Sequence, residues 1–221
     1  MRDNFIFDSS LVLYLPLYQL DGASFMSRDA YGHLCTATGA LWRPSGRYFD
    51  GVDDYINLGI SSTLDLISAG TVEIWILPTP NVNRSGIIGR YITTGSETGE
   101  RYAIDCAGAA PYNYRFTIAD GTSFNYAEVA QSDVTPTANR AEHIVGTFDG
   151  IAVKAYVNGR LLASVAQTLT PVMGNTPLYI GKDGGQWGKF RGIVGEARLY
   201  NRALTPQEVL RNYLATKWRY R

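Results

Sequence analysis

Hydrophobic and polar residues alternate along much of this chain with the period of two that marks half-buried β-strands. Residues 71–77 place Val72, Ile74 and Ile76 on one face and Thr71, Glu73 and Trp75 on the other, and Pro78 ends the ladder. From residue 142 onward, EHIVGTF, IAVKAYV and RLLASVA are separated by Asp149-Gly150 and Asn158-Gly159. Both dipeptides favour the positive φ angles of type I′ turns, so three consecutive antiparallel strands are predicted. In the middle strand Ile151, Val153, Ala155 and Val157 share one face, opposite Ala152, Lys154 and Tyr156. Asp120-Gly121 predicts a further hairpin joining YNYRFTIA to TSFNYAEVA. The N-terminal LVLYLPLYQL reads as the first strand, because it contains Pro16 and is too short to cross a bilayer.

The period changes at the end of the chain. Thr205 can cap a helix, Pro206 suits its first position, Glu208 completes a capping box, and Leu204 can staple onto Val209. Val209, Leu210, Tyr213 and Leu214 form a stripe predicted to pack on the strands. Turn signals recur along the whole sequence, with no linker or internal repeat, so residues 1–221 are expected to fold as one all-β antiparallel sandwich with one short C-terminal helix.

Charge removes some classes of partner. Lys plus Arg and Asp plus Glu both total 20, so no net field draws the chain to phosphate backbones or anionic lipid. Neither nucleic acid nor membrane insertion is expected. The N-terminus lacks the basic region and cleavage site of a signal peptide. Cys35 and Cys106 have no metal-site or redox spacing, and buried free thiols are expected.

Three segments, RYFDGVDDYINLG (47–59), HIVGTFDGIAVKAYVNG (143–159) and LYIGKDGGQWGKFRGIVGEARLYNRALTPQEV (178–209), occur in order. Together they resemble the laminin G-like, concanavalin A-like lectin superfamily, and SRDAYGHLCTATGALW looks like the loop preceding the first. The resemblance implies a jelly-roll sandwich, a glycan or polysaccharide partner, and a setting on a virion or extracellular surface. It also implies calcium, for which loop acids Asp29 and Asp53 are the expected ligands. Gly195-Glu196 stands where relatives often carry an acidic pair, so one implied acid is missing.

Catalytic chemistry finds little support. Retaining glycanases need two carboxylates about 5–5.5 Å apart, yet no two acids here are two positions apart in sequence. The close groups are Asp50, Asp53 and Asp54 around a turn, and Glu97 with Glu100 in a Gly/Thr-rich stretch. Only His33 and His143 exist as bases, and no nucleophile elbow is present. GKDGGQWGKF (181–190) fails the phosphate-loop spacing at Asp183 and is expected to be a hairpin loop. No catalytic residue is therefore assigned. Sugar binding needs flat aromatic faces and a few polar groups, and the loops supply Trp187, Tyr112, Tyr114 and Arg90 as candidates. A non-catalytic glycan-binding or adhesion module leads. A self-assembling jelly-roll oligomer is the alternative, and a hydrolase or lyase of the same fold comes third.

Overall fold

Strands that are apolar on one face must bury it against another layer, and this chain does so by stacking two largely antiparallel sheets. The computed structural model describes residues 4–79, 85–91, 97–107, 113–130, 140–172, 174–183 and 188–220. In chain order the strands are β1 (Leu11–Pro16), β2 (Ser24–Met26), β3 (Leu34–Thr38), β4 (Leu41–Arg43), β5 (Gly46–Asp50), β6 (Tyr55–Asn57), β7 (Gly70–Pro78), β8 (Ser85–Tyr91) and β9 (Glu100–Ala107). They continue with β10 (Asn113–Ala119), β11 (Phe124–Val129), β12 (Glu142–Phe148), β13 (Ala152–Val157), β14 (Arg160–Ala166), β15 (Leu178–Ile180), β16 (Gly188–Lys189) and β17 (Arg191–Tyr200). One α-helix, α1 (Pro206–Thr216), follows.

The eight-stranded sheet runs β14-β13-β12-β7-β17-β5-β4, with β1 also on β17, and the nine-stranded sheet runs β11-β10-β9-β8-β15-β6-β3-β2, with β16 on β8. The predicted inner face of β7, Val72, Ile74 and Ile76, lies in the core between the sheets. Gly146 on β12 also faces that core, and a Cβ there would stand 2.0 Å from the Phe116 ring. On β17 the first half pairs with β5 and the second with β1, while the pairing with β7 slips register between Val194 and Glu196. Gly195 sits at that slip because the Tyr220 ring occupies the place of a side chain, 2.3 Å from where a Cβ would be.

Of the predicted turns, Asn158-Gly159 has positive φ at both residues (52° and 77°), as a type I′ hairpin requires. Asp149 and Asp120 do not adopt positive φ; only the glycines that follow them do. Their carboxylates instead accept backbone N–H groups of the turn, from Ile151 and Ala152 in one case and Thr122 and Ser123 in the other. Ile151 is thereby lifted into the turn and is 76% exposed rather than lying on a strand face. Segment 181–190, expected to be a hairpin loop, instead follows β15 in one sheet and precedes β17 in the other.

The capping box forms as predicted, with Glu208 N–H donating to Thr205 Oγ1 and Thr205 N–H to the Glu208 carboxylate. The inward face of the helix differs. Val209, Asn212 and Thr216 are buried, whereas Leu210 and Leu214 are 43% and 48% exposed. The physical reason is the surface beneath, where the eight-stranded sheet presents Glu73 and Tyr200, to which Asn212 donates. Cys35 and Cys106 are buried and unpaired, and burial pushes the Cys35 thiol up to about 12.

Gly146→Ala is expected to cost about 1–3 kcal/mol in urea unfolding through overpacking against Phe116, whereas Leu214→Gln, on the predicted stripe, should stay within about 0.5 kcal/mol of wild type.

Candidate functional site

The outer face of the eight-stranded sheet holds the strongest concentration of buried charge. Outward positions on β7, β12 and β17 bring together Glu73, His143, Glu196 and Arg198, none of them with accessible side-chain surface above 1%. Arg198 donates to Glu73 at 2.5 Å, His143 Nε2 lies 2.9 Å from the same oxygen, and Asn212 donates to the other oxygen at 2.7 Å. Arg198 also contacts Glu196 at 2.8 Å without hydrogen-bond alignment, and Arg219 reaches Glu196 from beyond the helix at 3.2 Å. Burial opposes ionisation of Glu73, but Arg198, His143 and Asn212 outweigh it and hold the pKa near about 2. At Glu196 burial prevails and raises the pKa. Both carboxylates are sealed from solvent and committed to internal cations, so neither meets a substrate. Trp75 beside them is 2% exposed and stacks on Tyr220 at 4.5 Å and Tyr213 at 5.8 Å, which leaves no open ring for a sugar.

The β5–β6 turn gathers the one group of three acids among the described residues, Asp50, Asp53 and Asp54, with ligand oxygens within 4.8 Å of one another. Asp53 is thus near other carboxylates, but its expected companion Asp29 is not part of the group. Asp29 accepts N–H groups of Tyr14, Tyr31 and Gly32 and braces its own loop. Asp54 likewise accepts from Asp50 N–H, and Asp50 from Val52 N–H. Burial raises the pKa of Asp54. The cluster offers oxygens suited to a hard cation, although turn formation already uses two of the three acids.

The outer face of the nine-stranded sheet has a different character. Because Tyr102, Ile104 and Cys106 of β9 and Tyr114, Phe116 and Ile118 of β10 enter the core, the intervening Arg101, Ala103, Asp105, Arg115 and Thr117 face outward. Strand pairing aligns Tyr179, Gly89, Ala103, Thr117 and Tyr126 in one row across five strands. The middle of the row carries only small side chains. Tyr91 lies over β8, where a Cβ on Gly86 or Gly89 would come within 2.8 or 2.6 Å of its hydroxyl. At one end Tyr55 and Tyr179 meet edge to face at 5.9 Å, with Lys182 Nζ 3.9 Å from each ring centre. Burial there lowers the Lys182 pKa. At the other end Phe124 and Tyr126, each more than one-third exposed, stack at 6.1 Å. Between the two ends Arg115 pairs with Asp105 at 3.1 Å and lies over the Tyr126 ring.

The residues expected to bind sugar fare differently. Trp187 and Tyr112 lie outside the described residues. Tyr114 is turned inward, 4% exposed, and its hydroxyl donates to buried Glu142. Arg90 is 2% exposed and braces the interior through Asp65 and the carbonyls of Gly174 and Thr176. Both are therefore corrected to interior residues. Alternation held the signal, since Tyr114 shares parity with Phe116 and Ile118, and Arg90 with Ile88. The same alternation in β9 marks Arg101, Ala103 and Asp105 as the outward set.

A family model of the concanavalin A-like lectin/glucanases superfamily matches residues 50–210. The chain belongs to this superfamily. No curated protein matches it in sequence. Domain 4 of an extracellular arabinanase from Geobacillus stearothermophilus, in complex with arabinotriose, is similar at TM-score 0.69 and 17% identity, over 92% of this chain and 98% of that one. The binding domain of botulinum neurotoxin DC in complex with SialylT gives 0.70 at 14%, covering 94% of this chain and 52% of that one. Trypanosoma rangeli sialidase in complex with sialic acid gives 0.66 at 18%, covering 96% and 34%. At these identities the likeness is one of fold.

Because Glu73 has a folded pKa near 2 against an ordinary 4.5, the stability it contributes is complete above about pH 4.5 and lost as pH falls towards 2. Glu196 is raised, so its protonation favours the folded state and offsets part of that loss. Glu73→Gln should therefore cost about 3–5 kcal/mol at neutral pH and flatten the acid limb, as measured by denaturant unfolding across this pH range.

Proposed function

We propose that this chain is a non-catalytic glycan-binding module, and that its ligand lies across the outer face of the nine-stranded sheet. The observation that carries this reading is the row from Tyr179 to Tyr126, with aromatic rings at both ends and small side chains between them. Pyranose rings present C–H-rich faces to aromatic surfaces, and Tyr55, Tyr179, Phe124 and Tyr126 are the partly exposed rings of this face. The opposite outer face is filled by Trp75, Tyr213, Tyr220 and the buried ionic network, so it offers no comparable platform. Arabinotriose and sialic acid in the complexes of structurally similar proteins support a saccharide as the ligand class. Display on a virion or extracellular surface would place such a module where glycans are encountered.

The test is calorimetric titration of an oligosaccharide panel, run in calcium and in EDTA, together with an assay for released reducing ends or unsaturated sugars. Saccharide binding without product release is expected, and Tyr126→Ala and Tyr179→Ala should each weaken it at least about tenfold, or about 1.4 kcal/mol, with melting temperatures preserved. Loss of affinity in EDTA would assign a role to a cation, with the Asp50, Asp53 and Asp54 turn as the first place to mutate. Binding unaffected by either tyrosine substitution would move the site elsewhere.

A further inference from the structure

We infer that a second site, independent of the glycan-binding reading, lies on the outer face of the eight-stranded sheet and takes a small aryl anion, a flat apolar ring bearing a carboxylate or a phosphate. The Trp75 stack does not close that face completely. Two hollows adjoin there and share Trp75, Ala141 and Tyr220. The narrower, about 190 Å³, runs over Leu77, Ile193 and Gly195. The wider, about 320 Å³, opens beside Tyr213, Asn158, Arg140 and Lys217. Together they reach the size of small-molecule sites, roughly 300–1,000 Å³. Leu77, Ala141, Ile193, Tyr213 and Tyr220 are all partly exposed, so a ligand meets them directly from solvent.

The charge at the mouth has one sign. Arg140, just before β12, is exposed, and Lys217, just after α1, is partly exposed with Nζ 5.3 Å from the Tyr213 ring centre. Neither has a salt bridge among the described residues. Glu142 is the acid that the field of Arg140 reaches, but its carboxylate is buried and accepts from the inward-turned Tyr114 hydroxyl. Arg219, which lines the narrower hollow, is held by Glu196 at 3.2 Å. No carboxylate lines either hollow among the described residues, and Gly195 stands where the superfamily resemblance implies an acid. A cleft with low-dielectric walls and charge of one sign focuses its field, which draws an anion to the wider hollow. A bare hydrated ion would leave the apolar hollow unfilled. An aromatic ring fills it against Leu77, Ile193 and Tyr220, while its acid group faces Arg140 and Lys217. Asn158 Oδ1 already accepts from His143 N–H, which leaves the amide NH₂ of Asn158 to donate to the same acid group.

Benzoate and phenyl phosphate are titrated into the full chain beside benzyl alcohol, which lacks the charge, and inorganic phosphate, which lacks the ring, with amide chemical shifts as the readout. At least one aryl anion should bind about tenfold or more tighter than either control, with the shifts centred on Ala141 and Lys217, and the tighter of the two names the acid group. Arg140→Gln combined with Lys217→Gln should bring that anion within about twofold of benzyl alcohol. Ala141→Leu, which narrows the floor shared by the two hollows, should weaken aryl anion and alcohol alike, and carries the comparison should the double variant lose its fold. Tyr126→Ala, on the opposite face, should leave this binding unchanged. Aryl anions bound no tighter than benzyl alcohol or inorganic phosphate, a preference that survives the double substitution, or no binding at all overturns the inference and leaves the glycan-binding reading standing.

Discussion

A guanidinium with no access to water has to be neutralised where it stands, and the buried Arg198 imposes that condition on the eight-stranded sheet. Glu73 and Glu196 supply the countercharge from neighbouring positions on β7 and β17, and His143 and Asn212 complete the hydrogen bonding of Glu73. Such a cluster survives only under cover. The cover is the chain's own ends: Phe5 lies under Arg198, Ile6 N–H donates to Asn212, Tyr200 donates to Ile6, and α1 carries Asn212 itself.

This arrangement gives the two outer faces of the sandwich separate roles. Over the eight-stranded sheet the termini, the helix and the Trp75 stack consume the polar and aromatic groups in internal contacts. The nine-stranded sheet keeps Tyr55, Tyr179, Phe124 and Tyr126 partly accessible, with a polar interval between them. Acids that a sequence comparison would inspect for glycanase chemistry are thus structural on the first face, and the partly exposed aromatics lie on the second.

A fold does not dictate function, and the layering of this chain shows the physical reason. The core between the sheets needs only apolar residues of suitable volume in alternation. The outward positions on the same strands are free of that demand, and a residue such as Arg101 or Thr117 is placed there without disturbing Tyr102, Ile104, Phe116 or Ile118.

Sequence alone determined what depends on local patterns: the alternation of Val72, Ile74 and Ile76, the type I′ turn at Asn158-Gly159, and the Thr205–Glu208 capping box. These are set by backbone preference and by a period of two or three to four residues, so neighbours in sequence suffice to reveal them. Tertiary structure decided what depends on register and on cover. The row from Tyr179 to Tyr126 draws one residue from each of five strands, and no local pattern specifies that alignment. Leu210 and Leu214 look like the inner stripe of a helix until the sheet beneath proves to present a carboxylate, which selects Asn212 instead. Gly195 reads as a missing acid, yet it is the space that Tyr220 needs after the chain has folded back from its far end.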